Sequence, residues 1–272
     1  MARTIFRSSP RKRGPRAAGT EGLDSRTGAG KHAVRQTALR GNERENFTAS
    51  SLFRLMAWLS LAYPVGAFSY SSGIEWAVEA GDVANADTLR QWLAAMLAQG
   101  AGFCDAVFFA QAYRACAAED DETLRLIAEL AAAMTPSRER FLETTAQGNA
   151  FLDTTRATWP CATLDHLINV APGPVAYPVA VATAAAGHGI PLEPALGAYM
   201  QAVVANWVSA GVRLIPLGQT DGQRTIAALE SAIATTAGRA LAATLDEAGS
   251  ATFRADIASM RHETQYTRLF RS

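Results

Sequence analysis

Apolar residues recur at helical spacing along most of this chain, and that periodicity constrains the fold more than any other feature. Leu89, Trp92, Leu93, Met96 and Leu97 fall on one stripe of a helix, and no segment alternates apolar and polar residues for the length of a strand. Alanine, which has the best helix propensity, supplies 56 of the 272 residues. The pattern predicts an all-α protein, a single globular bundle of about ten helices.

Proline and capping residues divide the first half of the pattern into helices. A helix ends before Pro64, because proline disfavours a helical conformation in its predecessor. Ser72 and Glu75 have the spacing of a capping box, so a helix is predicted to restart there. Asp87 is the predicted N-cap of the helix that follows.

The second half of the chain predicts longer helices. One is expected over residues 192–215, before Pro216. Two more are expected over residues 222–236 and 238–247, because Gly238 separates them. A last helix is expected over residues 252–266.

The zero net charge of the chain conceals two unlike parts. Residues 1–45 hold 11 basic and 4 acidic side chains, a net of +7, whereas residues 46–272 hold 14 and 21, a net of −7. Residues 1–46 are rich in Arg, Gly, Ser and Pro and show no apolar period, which predicts a disordered basic extension before a helical domain over residues 47–272. The extension is compatible with nucleic-acid binding, membrane binding, a targeting address or no function. For the acidic body we expect neither a nucleic acid nor a membrane as partner.

The three cysteines, Cys104, Cys116 and Cys161, are too few and too scattered for a disulfide framework. This usage is typical of a reducing compartment and favours a cytoplasmic location. No unbroken apolar run reaches the length of a membrane-spanning helix.

Known catalytic and metal-binding motifs do not occur in the body of the chain. His262-Glu263 begins like the zinc motif H-E-x-x-H, but Tyr266 stands where the second histidine belongs. No lysine follows Lys31, so residues 46–272 hold no P-loop. We therefore expect no metal site, no cofactor and no catalytic residue. The alternative is an all-helical enzyme with an unrecognised active site, for which the serine-rich loop around Ser69 and the His262-Glu263 pair are the candidates.

Three segments, in chain order, resemble the urease accessory protein UreF family. The loop Tyr63–Glu75 is similar to the family pattern Y-P-x-G-x-[FY]-S-x-S-x-G-[LI]-E, and Pro216–Gln223 to P-L-G-Q-x-x-G-Q. The C-terminus Arg261–Ser272 is similar to R-H-E-x-Q-Y-[ST]-R-L-F-R-S. The resemblance spans about residues 50–272.

The resemblance implies an all-helical homodimer that scaffolds urease maturation. Its implied partners are UreD (also called UreH), the GTPase UreG and the urease apoenzyme, which receives nickel in a GTP-dependent step. The protein itself would be a regulator and not an enzyme. Whether nickel touches this chain stays open.

The resemblance also implies partner-binding residues in the three segments. These are Phe68, Ser69, Glu75, Gln219, Gln223, Arg261, His262, Glu263, Tyr266, Arg268, Leu269 and Phe270. For the dimer, small residues of the long helix are candidates because they allow close approach: Ala198, Ala202, Ala205 and Ala210. They could equally pack inside the monomer.

Overall fold

The computed structural model describes residues 47–272, so the predicted basic extension of residues 1–46 lies outside the described residues. Within residues 47–272 the chain forms eleven α-helices and two short 3₁₀ helices, and no strand. The prediction of an all-α bundle is confirmed. The helices are α1 (Ala49–Trp58), α2 (Ile74–Glu79), α3 (Ala86–Gln99), α4 (Ala101–Ala117), α5 (Asp121–Ala133), α6 (Arg138–Thr158), α7 (Ala162–Val170), α8 (Tyr177–Gly187), α9 (Leu192–Leu214), α10 (Gln219–Ala242) and α11 (Phe253–His262).

Two predicted helix starts are wrong by a few residues. Asn85, not Asp87, is the N-cap of α3; its side chain accepts the N–H groups of Asp87 and Thr88. Gly73, not Ser72, precedes α2, because Ser72 has a left-handed φ of 55° and its hydroxyl is used elsewhere. The N–H of Glu75 is instead bonded by Ser71 Oγ at 3.3 Å.

The C-terminal third differs from the predicted pattern in two places. The two helices expected on either side of Gly238 are one helix, α10, because this glycine is tolerated inside the helix and no other atom crowds it. The last helix ends at His262, four residues before the predicted end at Tyr266. The long helix predicted over residues 192–215 is confirmed as α9.

The core is built by close packing of α8 against α4, α6, α7 and α9. Every residue from Pro178 to Ala185 is buried, so α8 is surrounded by other helices on all sides. A Cβ on Gly148 of α6 would lie 2.0 Å from the carbonyl oxygen of Val175. Small residues therefore permit the close approach of α6 to the start of α8.

Helices α3 and α4 meet at Gly100, and the stretch Ala86–Ala117 is long and apolar enough to cross a membrane by length and composition alone. Within its most apolar window, 61% is buried inside the bundle. Such burial is typical of a core helix pair. Counting unbroken apolar runs does not single out this stretch, because polar residues such as Gln99 and Asp105 interrupt it.

Candidate functional site

The loop before α2 is shaped by two glycines in the left-handed conformation. Gly66 has φ 72° and starts a 3₁₀ turn over Ala67–Ser69, and Gly73 has φ 82° and leads into α2. Phe68 lies at the tip of this turn and is 62% exposed. The loop therefore presents an aromatic side chain to solvent at one end of the bundle.

The side chain of Glu75, in the first turn of α2, binds the backbone of the last residues of the chain. Its carboxylate is buried and accepts the N–H of Leu269 at 2.6 Å and the N–H of Phe270 at 2.9 Å. Charge-assisted bonds of this kind are stronger than neutral ones. Glu75 is consequently an anchor for residues 264–272, here called the C-terminal segment.

His262, at the end of α11, lies between two carboxylates. Its ring is fully buried, with Nε2 3.0 Å from Glu75 Oε2 and Nδ1 2.6 Å from Glu139 Oε2. The other oxygen of Glu139 accepts a hydrogen bond from Arg268 Nη1 at 2.7 Å. Helices α2, α6 and α11 and the C-terminal segment are thus joined by one ionic cluster.

A second buried network, centred on Glu143 of α6, lies beside the first. Ser72 Oγ donates to Glu143 at 2.9 Å and accepts from Trp207 Nε1 at 2.9 Å and Arg140 Nη1 at 3.0 Å. Arg140 also pairs with Glu143 at 2.6 Å, and Ser272 Oγ donates to the second Glu143 oxygen at 2.6 Å. The hydroxyl of Ser72 thus makes one donated and two accepted hydrogen bonds, and these bonds hold the residue in its left-handed backbone conformation.

The last residues of the chain pair with the loop along the backbone. Arg271 N–H donates to the Ser69 carbonyl at 2.8 Å, and Ser71 N–H donates to the Ser272 carbonyl at 2.6 Å. Arg213 of α9 reinforces the contact, because its guanidinium lies 4.1 Å from the centroid of the Phe270 ring. Loop and C-terminal segment therefore form one surface.

The predicted partner-binding residues fall into groups with different positions. Glu75, His262 and Phe270 are buried and hold the C-terminal segment in place. Ser69 and Glu263 are partly buried. The others are exposed: Phe68, Gln219, Gln223, Arg261, Tyr266, Arg268 and Leu269.

Two of the exposed residues stand apart from the ionic clusters. Gln219 and Gln223 lie in the first turns of α10, and within residues 47–272 no hydrogen bond joins them to the C-terminal segment. The start of α10 nevertheless packs on the end of α9, since a Cβ on Gly222 would lie 2.9 Å from Val212. Arg213, the next residue of α9, contacts Phe270.

Sequence reasoning missed the charged residues of α6 and α4 that complete the site: Glu139, Arg140, Glu143 and Asp105. In the sequence, Glu139, Arg140 and Glu143 have the spacing of an ordinary solvated helix surface. The available signal was that Ser137 precedes them as an N-cap, which places all three in the first two turns of a helix.

A cavity of about 50 Å³ lies next to the second network, with Asp105, Arg140, Glu143, Tyr177, Tyr199 and Trp207 among its lining residues. Burial raises the pKa of Asp105 to about 6, with Arg140 opposing the shift and Glu143 adding to it. Arg140 Nε is buried and has no hydrogen-bond partner among residues 47–272. The cavity is lined by apolar side chains as well as these polar groups, and it is large enough for water.

Replacing Asp105 by asparagine is expected to stabilise the fold at pH 8. When folding raises the pKa of a carboxyl, protonation of that group stabilises the native state. The stabilisation is complete below the pKa of the unfolded chain, near 4, and is lost as the pH rises through the folded-state pKa of about 6. Each pKa unit corresponds to about 1.36 kcal/mol, so the raised pKa, which already includes the opposing attraction of Arg140, sets an upper bound of roughly 3 kcal/mol on the gain. Urea unfolding at pH 8 and pH 4 checks this, because the difference should vanish at the lower pH.

The exposed Asp153 of α6 provides the control, since Asp153→Asn should leave stability within about 0.5 kcal/mol at either pH. A loss of stability in Asp105→Asn at pH 8 would mean that its contact with Arg140 outweighs the cost of burial.

Within residues 47–272, no group of three or more His, Cys, Asp or Glu side chains is arranged to hold a metal ion. His166 pairs with Asp121, and His188 lies 3.0 Å from the Trp159 carbonyl oxygen. The hydroxyl of Ser71 bonds the Ser272 carbonyl and not an imidazole.

Comparisons with known proteins agree with the three motifs. The sequence profile of the UreF family matches residues 83–230. A protein named urease accessory protein UreF from Bradyrhizobium diazoefficiens is 63% identical over 224 residues, which are 82% of this chain and 93% of the relative. One of the same name from Rhodopseudomonas palustris (strain HaA2) is 64% identical over 223 residues, 82% of this chain and 94% of the relative.

Proposed function

Since this chain belongs to the UreF family of urease accessory proteins, we propose that it acts in urease maturation as a scaffold that bridges UreD (UreH) and the GTPase UreG. In this proposal the assembly delivers nickel to the urease apoenzyme in a GTP-dependent step, and this chain supplies surfaces and regulation without catalysis. We place it in the cytoplasm, where its partners would act.

The docked C-terminal segment is the observation that carries the proposal. This segment and the loop paired with it expose four side chains, here called the tail face: Phe68, Tyr266, Arg268 and Leu269. Tyr266 is fully exposed, and Leu269 and Phe68 are 64% and 62% exposed. Aromatic residues and arginine are enriched at the energetic centres of protein interfaces. A backbone held by Glu75 lets these side chains bind without a large ordering cost.

The charge of the tail face favours an acidic partner surface. Arg268 of the tail face and the exposed Arg261 and Arg271 all fall within residues 261–271 of a body whose net charge is about −7, counted as 14 basic and 21 acidic residues. Complementary charge increases association rates and selects partners. We assign this face to UreG, with UreD binding required to assemble the complete complex.

Self-association is proposed on a different face, formed by α1 and α9. Leu52, Met56 and Ala198 line an open groove there, with Leu52 48% and Met56 67% exposed. Exposed apolar side chains grouped in this way mark interaction surfaces. Of the four alanines suggested for the dimer contact, Ala210 is buried inside the chain and is excluded.

Light scattering should give twice the mass of one chain; a monomer would reject this part of the proposal.

Co-purification tests the proposed function. The chain should capture UreD, and UreG should join the complex. Arg268→Ala should weaken UreG capture at least tenfold, because it removes a charged group from the tail face and leaves Glu139 with one partner fewer.

Arg125→Ala is the matched control, since this exposed α5 arginine forms only a helix-surface ion pair with Glu129. Helical content measured by circular dichroism should be unchanged in both variants. A wild-type chain that captures neither UreD nor UreG would reject the proposal.

A further inference from the structure

Arg213, in the last turn of α9, contacts both the loop before α2 and the C-terminal segment. Its Nη2 atom donates to the Phe68 carbonyl at the tip of the loop, and its guanidinium lies 4.1 Å from the centroid of the Phe270 ring. One planar group therefore holds the loop by a hydrogen bond and the segment by a cation–π contact. The ammonium of a lysine is a single point charge and lacks the flat, forked shape that makes both contacts at once.

Both contacts leave the exposed side chains of the tail face free. The bond to Phe68 uses the backbone carbonyl, so the ring of this residue stays 62% exposed. Phe270 is 4% exposed and directly follows Leu269, which is 64% exposed. Arg213 thus fixes chain positions from which neighbouring side chains project into solvent.

Arg213 also acts together with the anchor Glu75. Partial burial lowers the pKa of Arg213, and the negative charge of Glu75 opposes this shift. Glu75 in turn accepts the N–H of Phe270 at 2.9 Å. The two residues therefore hold Phe270 jointly, Arg213 through its ring and Glu75 through its backbone.

The Pro216–Gln223 motif determines where the last turn of α9 lies. Helix α9 ends one residue after Arg213, and Ile215 is extended, with φ −119° and ψ 152°. Beyond Pro216, the Leu217 N–H donates to the Ile215 carbonyl at 2.7 Å, and the Leu217 side chain packs against the core. The chain therefore turns directly after Arg213 and is tied to the core at the turn.

Gly222 of the same motif packs on this turn of α9 from α10. A Cβ on this glycine would lie 2.9 Å from Cγ2 of Val212, the residue before Arg213. Valine has little rotamer freedom in a helix, so a larger residue in place of Gly222 would displace the end of α9. The motif is thereby connected to the C-terminal segment, although its two glutamines make no hydrogen bond to that segment within residues 47–272.

We propose that Arg213 is a positioning residue that clamps the loop tip to the C-terminal segment, and that the Pro216–Gln223 motif acts on the tail face through it. The motif then needs no contact of its own with the segment. A consequence for UreG capture rests on the proposed function, whereas the clamp itself does not.

Hydrogen exchange in the isolated full-length chain tests the clamp. Arg213→Met keeps the aliphatic stem and removes the guanidinium, so protection of the Leu269 amide should fall about tenfold. Amides of α8, which is buried on all sides, serve as the reference for global unfolding. Unchanged protection of the Leu269 amide would overturn the clamp.

A double-mutant cycle shows whether Arg213 acts through the Phe270 ring. Phe270→Leu removes the ring, so the two substitutions share one contact and their combined loss should be smaller than the product of the single losses, by about threefold. Arg213→Lys should not restore wild-type protection, because a charge alone does not make both contacts. Losses that multiply fully, or complete rescue by lysine, would overturn the clamp.

Arg239→Met is the matched control, since Arg239 of α10 makes the same pair of contacts elsewhere. Its guanidinium lies 4.4 Å from the centroid of the Phe103 ring, and it donates to the Ala98 carbonyl at 2.7 Å. This variant should protect the Leu269 amide as the wild type does. A loss equal to that of Arg213→Met would overturn the proposal, because any such arginine would then suffice.

Gly222→Ala tests the role of the motif and should lower protection of the Leu269 amide about threefold. In the Arg213→Met background it should cause no further loss, because the clamp is already removed. Gly238→Ala in the same helix, where a Cβ would meet no atom within 4 Å, should have no effect. No loss in Gly222→Ala, or an equal loss in both backgrounds, would overturn the role of the motif. No partner is present, so failure of the proposed function would not affect these results.

Discussion

Replacing Gly73 by alanine is expected to separate α2 from α11 and to release the C-terminal segment. A Cβ at this position would lie 2.7 Å from the backbone nitrogen of Ser259, which cannot move independently of α11. The residue also has a φ of 82°, a conformation that alanine adopts only at a cost of about 1–2 kcal/mol. Together with about 1–3 kcal/mol for overpacking, the variant should lose roughly 3 kcal/mol or more in urea unfolding.

Gly66 provides a matched control, because it lies in the same loop with a φ of 72°, but a Cβ added to it would meet no atom within 4 Å. Gly66→Ala should therefore lose only the conformational contribution, about 1–2 kcal/mol. Equal losses in the two variants would show that the contact with Ser259 contributes nothing.

Replacing Glu75 by alanine is expected to abolish docking of the C-terminal segment and, with it, partner capture. The Leu269 and Phe270 amides would each lose their acceptor, and His262 Nε2 would lose its carboxylate partner. Leaving a buried donor unsatisfied costs about 1–3 kcal/mol, so docking should weaken by more than about 100-fold. Loss of amide protection at Leu269 and Phe270, measured together with UreG capture, checks the expectation.

Glu79→Ala is the control on the same helix, since Glu79 is exposed at the C-terminal end of α2. In Glu79→Ala, the protection of the Leu269 and Phe270 amides and the capture of UreG should both equal those of the wild type. Full capture by Glu75→Ala would show that the tail face does not depend on the Glu75 anchor.

The helical architecture was accessible from the sequence because it rests on local patterns. The 3.6-residue period and the position of Pro216 predicted α9 to within a residue. Cap assignments were less accurate, since Asn85 and Asp87 are both good N-caps and only the structure shows which side chain accepts the first N–H groups.

The role of the site residues was not accessible in the same way. Glu75 and Leu269 are 194 positions apart, and no local pattern connects them. Charged residues such as Glu139 and Glu143 are normally exposed, so their burial follows only from tertiary packing. Two of the motifs, Tyr63–Glu75 and Arg261–Ser272, proved to pack against each other, whereas the division into buried anchors and exposed tail face required the three-dimensional arrangement.

Activation of urease apoenzyme tests the central claim most directly. Apoenzyme, nickel, GTP, UreD and UreG are combined with this chain, with its Glu75→Ala variant, or with neither, and urease activity is measured. The scaffold account predicts activation with the wild-type chain, and only background activity with the variant or without the chain. Equal activation in all three mixtures would contradict it.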